Sequence, residues 1–250
     1  MLKISVITVC LNAEDGIRRT IESVLCQIYS SIEYIIIDGG STDGTESILN
    51  EYKESISKLY IEKDDGVYDA MNKALEIASG DFILFMNAGD QFATEFAIKN
   101  VMKAVCDLDS IYYGDALFVD PSRSRSYIYG GRFSIYRFCT ENICHQSIFY
   151  PRSAYKRYRY DLKYKLFADY VYNMKLWAKK YKFVYVEEVI SIFRLDGLSS
   201  SGYDSVMLRD RGQIIFNNFG IFYYIYYLLK KNIRIRMWLK KIGFIGQNAK

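Results

Sequence analysis

Residues 33–45 read EYIIIDGGSTDGT, and this stretch decides the fold. The isoleucine run Ile35 to Ile37 is short, β-branched and uninterrupted, which predicts a strand buried on both faces. The run stops at Asp38, and Gly39 and Gly40 then let the backbone turn sharply or come close to a ligand. Ser41, Thr42 and Asp43 suit a turn and the start of a helix, where their oxygens satisfy free N–H groups. Capping does not account for Asp38. A carboxylate at the carboxyl end of a buried strand stands where open α/β sheets hold their ligands.

The same alternation extends in both directions. Strands are predicted at Ile4–Val9, Glu33–Asp38, Lys58–Glu62 and Phe82–Asn87. Between them lie helical periods: Glu14–Ile28 with Ile17, Ile21, Val24, Leu25 and Ile28 on one face, Asp43–Ile56 with Ile48, Leu49, Tyr52 and Ile56, and Val67–Ala78 with Val67, Met71, Ala74, Leu75 and Ala78. Three strand–helix units in series predict a parallel sheet covered by helices. Beyond residue 110 the pattern is less regular. Short strands are expected at Ile111–Gly114, Tyr127–Tyr129 and Ser147–Tyr150, a helix at Phe167–Tyr181, and a strand or strand pair at Phe183–Phe193. No linker separates the halves, so a single domain is expected over residues 1–215, followed by a helical tail over 216–250.

Composition narrows the function. With 250 residues, 50% hydrophobic and 25% charged, the chain has the balance of a globular protein rather than a disordered one. Residues 1–110 carry nine Lys and Arg against nineteen Asp and Glu, and the remainder carries twenty-four against ten. An acidic half suits a divalent cation, and a basic half suits phosphates or an anionic surface. No nucleic-acid motif is present and the basic residues form no dense run before Lys230–Lys241, so nucleic acid is not expected as a partner. The single histidine, His145, excludes a multi-histidine zinc site. Five cysteines without a CxxC pair read as buried free thiols of a cytoplasmic protein. No segment reaches the ~20 apolar residues of a membrane span. The first turn, Thr8 to Gly16, lacks both GxGxxG and GxxxxGK[ST], which removes the main support for a dinucleotide oxidoreductase or a P-loop phosphotransferase.

The fourth strand ends in Asn87-Ala88-Gly89-Asp90, which delivers hard oxygen ligands of the kind Mg²⁺ and Mn²⁺ prefer. Alone, Asp90 is equally an aspartate closing a turn. Taken together, VITVCLNAEDGIRRTIESVLCQ (6–27), EYIIIDGGSTDGT and IEKDDGVYDAMNKALEIASGDFILFMNAGD (61–90) resemble the family 2 glycosyltransferases of the GT-A fold. The match is tight over roughly residues 4–90 and weaker to about residue 200, and it is nearest the branch that builds bacterial surface polysaccharides.

That resemblance implies a GT-A, Rossmann-like α/β fold, with a mostly parallel sheet flanked by helices, an irregular α+β acceptor-side half and C-terminal helices. It implies a nucleotide-sugar half over residues 1–110, with Asp38 on the base, Thr8 and Asp64 bordering the same pocket, Lys73 toward the phosphates and Asn87 beside them. The NAGD segment stands where many members carry a D-x-D motif, with Asn87 in place of its first carboxylate. Asp90 is then expected to hold Mn²⁺ or Mg²⁺, and His145, in the segment Cys144-His145-Gln146, to join that metal site. A satisfied core histidine is the other reading of His145. Asp169 falls where the family places its catalytic base, and the alternative is an acid favouring a helix N-terminus. Leu195–Ser200 resembles a loop closing this half.

The activity implied is an inverting transfer from a nucleotide-sugar, a UDP-sugar by expectation, to a glycan or lipid-linked acceptor of a capsule, O-antigen or exopolysaccharide. A sugar-1-phosphate nucleotidyltransferase would want a Gly- and Arg-rich first loop, which Leu11–Arg19 is not, and a catalytically silent scaffold of the same fold is the further alternative. The apolar stretch Phe219–Leu229 precedes Lys230, Lys231, Arg234, Arg236, Lys240 and Lys241 with no acidic residue among them. Residues 219–241 are therefore expected to meet an anionic membrane surface, placing a cytoplasmic protein peripherally at the inner face of the membrane.

Overall fold

The computed structural model describes residues 1–195 and 204–232. One sheet carries the architecture. Its strands are β1 (Ile4–Cys10), β2 (Ile32–Asp38), β3 (Lys58–Ile61), β4 (Phe82–Phe85), β5 (Gln91–Phe92), β6 (Ile111–Asp120), β7 (Arg125–Tyr129), β8 (Ile148–Pro151) and β9 (Phe183–Arg194), in the order β3-β2-β1-β4-β8-β6-β9-β5, with β7 paired to β6. The first four strands run parallel, with Cys10 opposite Asp38 and Ile7 opposite Phe85. From β8 onward the sheet is mixed: β8 runs antiparallel to β4 and β6, while β9 lies parallel to β6.

Helices α1 (Ile17–Leu25), α2 (Thr45–Glu51), α3 (Val67–Ile77) and α4 (Ala97–Ala104) follow the early strands. The expected spacing is visible in α1, where Ile17, Ile21 and Val24 are buried. That helix starts later than predicted because the amides of Gly16 and Ile17 both bond the Ala13 carbonyl in a turn. The predicted second helix ends early too, its last part forming a 3₁₀ turn at Lys53–Ser55. Among these early elements β5 and α4 escaped the sequence reading. β4 also stops at Phe85, which places Asn87 past the strand rather than at its last position.

The later strands are longer than expected. β6 and β9 form one extended parallel ladder, broken by register shifts between Tyr113 and Ala116, which obscured its periodicity. Three further short or medium helices are α5 (Ile135–Phe138), α6 (Arg152–Tyr155) and α7 (Ala168–Ala178). The chain divides into two compact units, Met1–Arg132 with Ile143–Asp204, and Phe133–Asn142 with the residues from Ser205 onward. The second unit holds α5 and the helices Ser205–Phe219 and Ile221–Lys231, which meet at Gly220, a left-handed residue with φ +87° whose amide bonds the Phe216 carbonyl. The expected loop at residues 196–200 and the cations Arg234, Arg236, Lys240 and Lys241 lie outside the described residues. Of the five thiols, Cys10 and Cys139 are buried as expected, whereas Cys26 and Cys106 are exposed.

The amino ends of the strands are tied by Glu33, which is almost fully buried. It accepts hydrogen bonds from the Ser79 amide at 2.8 Å and the Ser5 hydroxyl, and pairs with Lys58 at 3.0 Å and Lys3 at 3.4 Å. Burial alone would raise its pKa, but the Ser5 hydroxyl, the Ser79 amide and Lys58 outweigh that and hold it at about 2. Because the folded carboxyl titrates below the unfolded one, its contribution to stability is complete above pH ~4.5 and is lost as pH falls toward 2. Glu33→Gln is expected to cost about 2 kcal/mol at neutral pH and to flatten the fall in melting temperature between pH 4.5 and 2, as followed by circular dichroism.

Candidate active site

The carboxyl ends of the parallel strands carry acids: Asp38 at the end of β2, Asp64 beyond β3 and Asp90 in the turn after β4. Asp38 closes β2 and is fully buried. Its Oδ1 accepts from the amides of Gly40 at 2.8 Å and Ser41 at 2.7 Å, which folds the Gly39-Gly40 turn around it, with Gly40 at φ +86°. Its Oδ2 meets no hydrogen-bond donor among the described residues. A buried carboxylate oxygen left without a donor is costly and marks a place for a ligand's N–H or O–H. Asp64 lies against the same turn, where a Cβ on Gly39 would come within 2.5 Å of its carboxylate. Burial and the charges of Asp38, Asp43 and Asp64 push the Cys10 thiol far up, so it stays protonated.

The loops after β1 and β2 are laced together. Asn12, held at φ +49°, accepts the Thr42 amide at 2.8 Å and gives its own amide to Ser41. Ser41 and Thr42 therefore brace the neighbouring loop rather than cap α2, while Asp43 does accept the Thr45 amide at 3.0 Å. Thr8 has no exposed surface and spends its hydroxyl on the Met86 carbonyl at 2.7 Å and on Tyr34 at 3.0 Å, joining β1 to β4 from behind the crevice. Lys73 is paired with Glu62 at 3.2 Å and Asp69 at 3.5 Å, and it donates to the Lys63 carbonyl. The structure thus brings Asp38 and Asp64 together, and holds Thr8 and Lys73 in protein contacts.

Beyond β4 the segment Asn87–Asp90 is a turn, closed by the Asp90 amide on the Asn87 carbonyl at 3.0 Å, with Gly89 at φ +99° supplying the left-handed third position. Thr20 of α1 fastens it from below, accepting the Gly89 amide at 2.9 Å and donating to the Asp90 carbonyl at 2.7 Å. The Asp90 carboxylate is nearly buried and accepts from Gln146 Nε2 and from the Arg194 amide.

His145 links this turn to Asp169. Asn87 Nδ2 stands 3.0 Å from His145 Nε2, and His145 Nδ1 faces Asp169 Oδ2 at 3.5 Å. Asp169, on the first turn of α7 and only 6% exposed, takes a second hydrogen bond on Oδ1 from the Tyr68 hydroxyl at 2.9 Å. Burial and the Asp169 charge hold the Tyr68 pKa well above its ordinary value, so this phenol remains a donor. Both ring nitrogens of His145 face protein groups, Asn87 on one side and Asp169 on the other. Among the described residues no three His, Cys, Asp or Glu side chains are placed to hold a metal ion by themselves. The donor set suits a hard cation only as a half-site: Asp90 as the carboxylate, Asn87 Oδ1 as a buried oxygen without a partner, and the remaining ligands from a substrate.

Three residues escaped the sequence reading although they stand in the motifs quoted for it: Tyr68, Gln146 and Arg19. The first two hold Asp169 and Asp90.

The site thus joins an α/β sheet with acids at its strand ends to a buried aspartate of the later half, linked through His145 and Tyr68. Residues 5–175 match the model of the family described as Glycosyl transferase family 2, and the chain belongs to that family; it is a glycosyltransferase. A PGL/p-HBAD biosynthesis glycosyltransferase of Mycobacterium bovis (strain BCG / Pasteur 1173P2) is 29% identical over 214 residues, 82% of each chain. A Bacillus subtilis (strain 168) protein named for teichuronic acid biosynthesis, the glycosyltransferase TuaG, is 44% identical over 92 residues, 36% of each chain. Among solved structures, S. aureus TarS 1–349 in complex with UDP-GlcNAc superposes with a TM-score of 0.69 at 19% identity, over 87% of this chain and 68% of that one. The mannosyltransferase PcManGT of Pyrobaculum calidifontis, in complex with GDP-Man and Mn²⁺, gives 0.65 at 15% identity, over 97% and 79%. These likenesses establish the GT-A fold.

Proposed function

We propose that the chain is an inverting transferase that passes a hexosyl or N-acetylhexosaminyl group from a UDP-sugar to a glycan or lipid-linked acceptor of a surface polysaccharide. The observation that carries this reading is Asp169, buried at the start of α7, with one oxygen on Tyr68 and the other facing a histidine tied to the turn that bears Asp90. Such an aspartate suits a general base. It takes the proton of the acceptor hydroxyl as that oxygen bonds to the anomeric carbon, while the bond from that carbon to the diphosphate breaks on the opposite face and the configuration inverts. His145 and Tyr68 orient the carboxylate without competing for the proton. Asp38 Oδ2 is the acceptor for a base N–H, with Asp64 at the border of that pocket. A divalent cation, Mn²⁺ or Mg²⁺, would be held by Asp90 with Asn87 and the donor's own phosphates, and supplies charge to the departing diphosphate.

Support for a UDP donor and for a glycan or glycolipid acceptor comes from the names of the similar proteins. The assay is release of UDP from a panel of UDP-sugars in the presence of bacterial membrane lipids. Release that depends on the lipid fraction is expected; UDP bound but never released would make the chain a silent nucleotide-binding protein.

The same reading places the protein in the cytoplasm, peripheral at the inner face of the membrane. No helix among the described residues is long and apolar enough to cross a membrane. The helix Ile221–Lys231 instead exposes Ile221, Phe222, Ile225, Leu228 and Leu229, which share one face at helical spacing, and Lys230 and Lys231 close its end. Its other side, at Tyr224, packs against Gly212 of the preceding helix. Full-length protein is expected to sediment with vesicles containing phosphatidylglycerol and not with phosphatidylcholine alone, and I221S/F222S/I225S to lose at least tenfold in partition. Equal partition of both proteins would contradict this placement.

A further inference from the structure

We infer that Arg19 is the residue through which the protein grips the diphosphate of its nucleotide. This deepens the nucleotide-sugar reading and rests on it. Arg19 lies on the first turn of α1 and its side chain folds back toward Gly16, where Nη2 stands 3.6 Å from the position a Cβ would take on that glycine. The same position is 2.9 Å from the Cα of Gly89, so the guanidinium lies beside the turn that carries Asn87 and Asp90. A Cβ on Gly89 itself would meet nothing within 4 Å, so open space adjoins that turn.

Among the described residues the guanidinium has no acceptor. Its Nε is buried without a hydrogen-bond partner, and no ion pair or hydrogen bond ties its Nη atoms to any described residue. Its neighbours on α1 and α3 differ: Arg18 pairs with Glu51 at 2.7 Å, and Lys73 with Glu62 and Asp69. A half-buried, permanently charged fork that finds no carboxylate in a half of the chain holding nineteen of them is best explained by an anion from outside.

Position selects that anion. Strand order places β1 between β2 and β4, so Asp38 and the Asn87–Asp90 turn stand two strand spacings apart, about 10 Å. A nucleotide whose base meets Asp38 Oδ2 runs its ribose across the end of β1 and brings its phosphates to the turn, where Arg19 offers parallel N–H donors to phosphate oxygens. Asp38 and Asp64 give that path a negative field, which makes one unpaired cation at its phosphate end the more necessary. Arg19 is thereby a positioning residue for the leaving group, acting on the diphosphate and not on the base.

The test is calorimetric titration of the full chain with UDP and with uridine, in Mn²⁺ buffer, for wild type, Arg19→Ala and Arg19→Lys, each with its own melting curve as a control of folding. Arg19→Ala is expected to weaken UDP about tenfold or more while leaving uridine unchanged, and Arg19→Lys to recover part of the loss. Equal UDP affinity in wild type and Arg19→Ala would overturn the inference alone. A parallel loss of UDP and uridine would overturn it too, by showing a structural role. Failure of the wild type to bind any nucleoside diphosphate would overturn the nucleotide-sugar reading and this inference with it.

Discussion

Asp169→Asn is expected to lower turnover by about a thousandfold while UDP affinity and melting temperature stay near those of the wild type. The substitution removes the proton acceptor and, with it, the one oxygen that faces His145 at 3.5 Å. An asparagine of the same shape can still present its oxygen to the Tyr68 hydroxyl, and α7 keeps its packing through Tyr170, Tyr172 and Met174, all buried. The nucleotide reading rests on Asp38 and on the turn at Asp90, to which Asp169 is linked through His145 and Asn87. Chemistry and donor binding should therefore separate cleanly in this variant. Turnover within a few-fold of wild type would remove Asp169 from the mechanism and leave it a helix-terminal acid.

Asp38→Asn is expected to have the opposite signature, a loss of UDP affinity of about 10- to 100-fold with the fold intact. One oxygen of Asp38 is structural, accepting from Gly40 and Ser41, and an asparagine retains an oxygen for that purpose. The other, Oδ2, is buried and without a donor, and in the variant an NH₂ group takes its place. A base N–H that met an acceptor would then meet a donor, and the two would compete for a space that excludes water. Affinity for UDP measured by titration checks this, and an unchanged value would show that the base lies elsewhere.

Those two aspartates differ in how far the sequence reveals them. Asp38 was legible because its setting is local: an apolar run, a carboxylate and two glycines define a strand end whatever the rest of the chain does. The parallel ladder of β1 to β4 was legible for the same reason, each strand and its covering helix being adjacent in sequence. Asp169 depends on Tyr68, 101 residues away, and no period in the sequence joins them; the family resemblance alone marked it. Sequence could not show that Thr8 turns its hydroxyl toward Met86, that Lys73 is taken up by Glu62 and Asp69, or that His145 spends both nitrogens on protein, because each depends on which face of an element the fold presents. β5 was missed because it has only two residues and owes its existence to a partner, β9, a hundred positions later. The ladder of β6 and β9 read as irregular because its register shifts interrupt the alternation of buried and exposed residues.

The central claim is that the crevice at the carboxyl ends of β1, β2 and β4 holds a nucleoside diphosphate. Its most direct test is a thermal-shift screen of the full chain against UDP, GDP, dTDP and CMP, each with and without Mn²⁺, since a ligand bound by the native state alone raises the melting temperature. A rise with UDP that grows when Mn²⁺ is present and shrinks in Asp38→Asn is the expected result. No rise with any of the four at saturating concentration would contradict it.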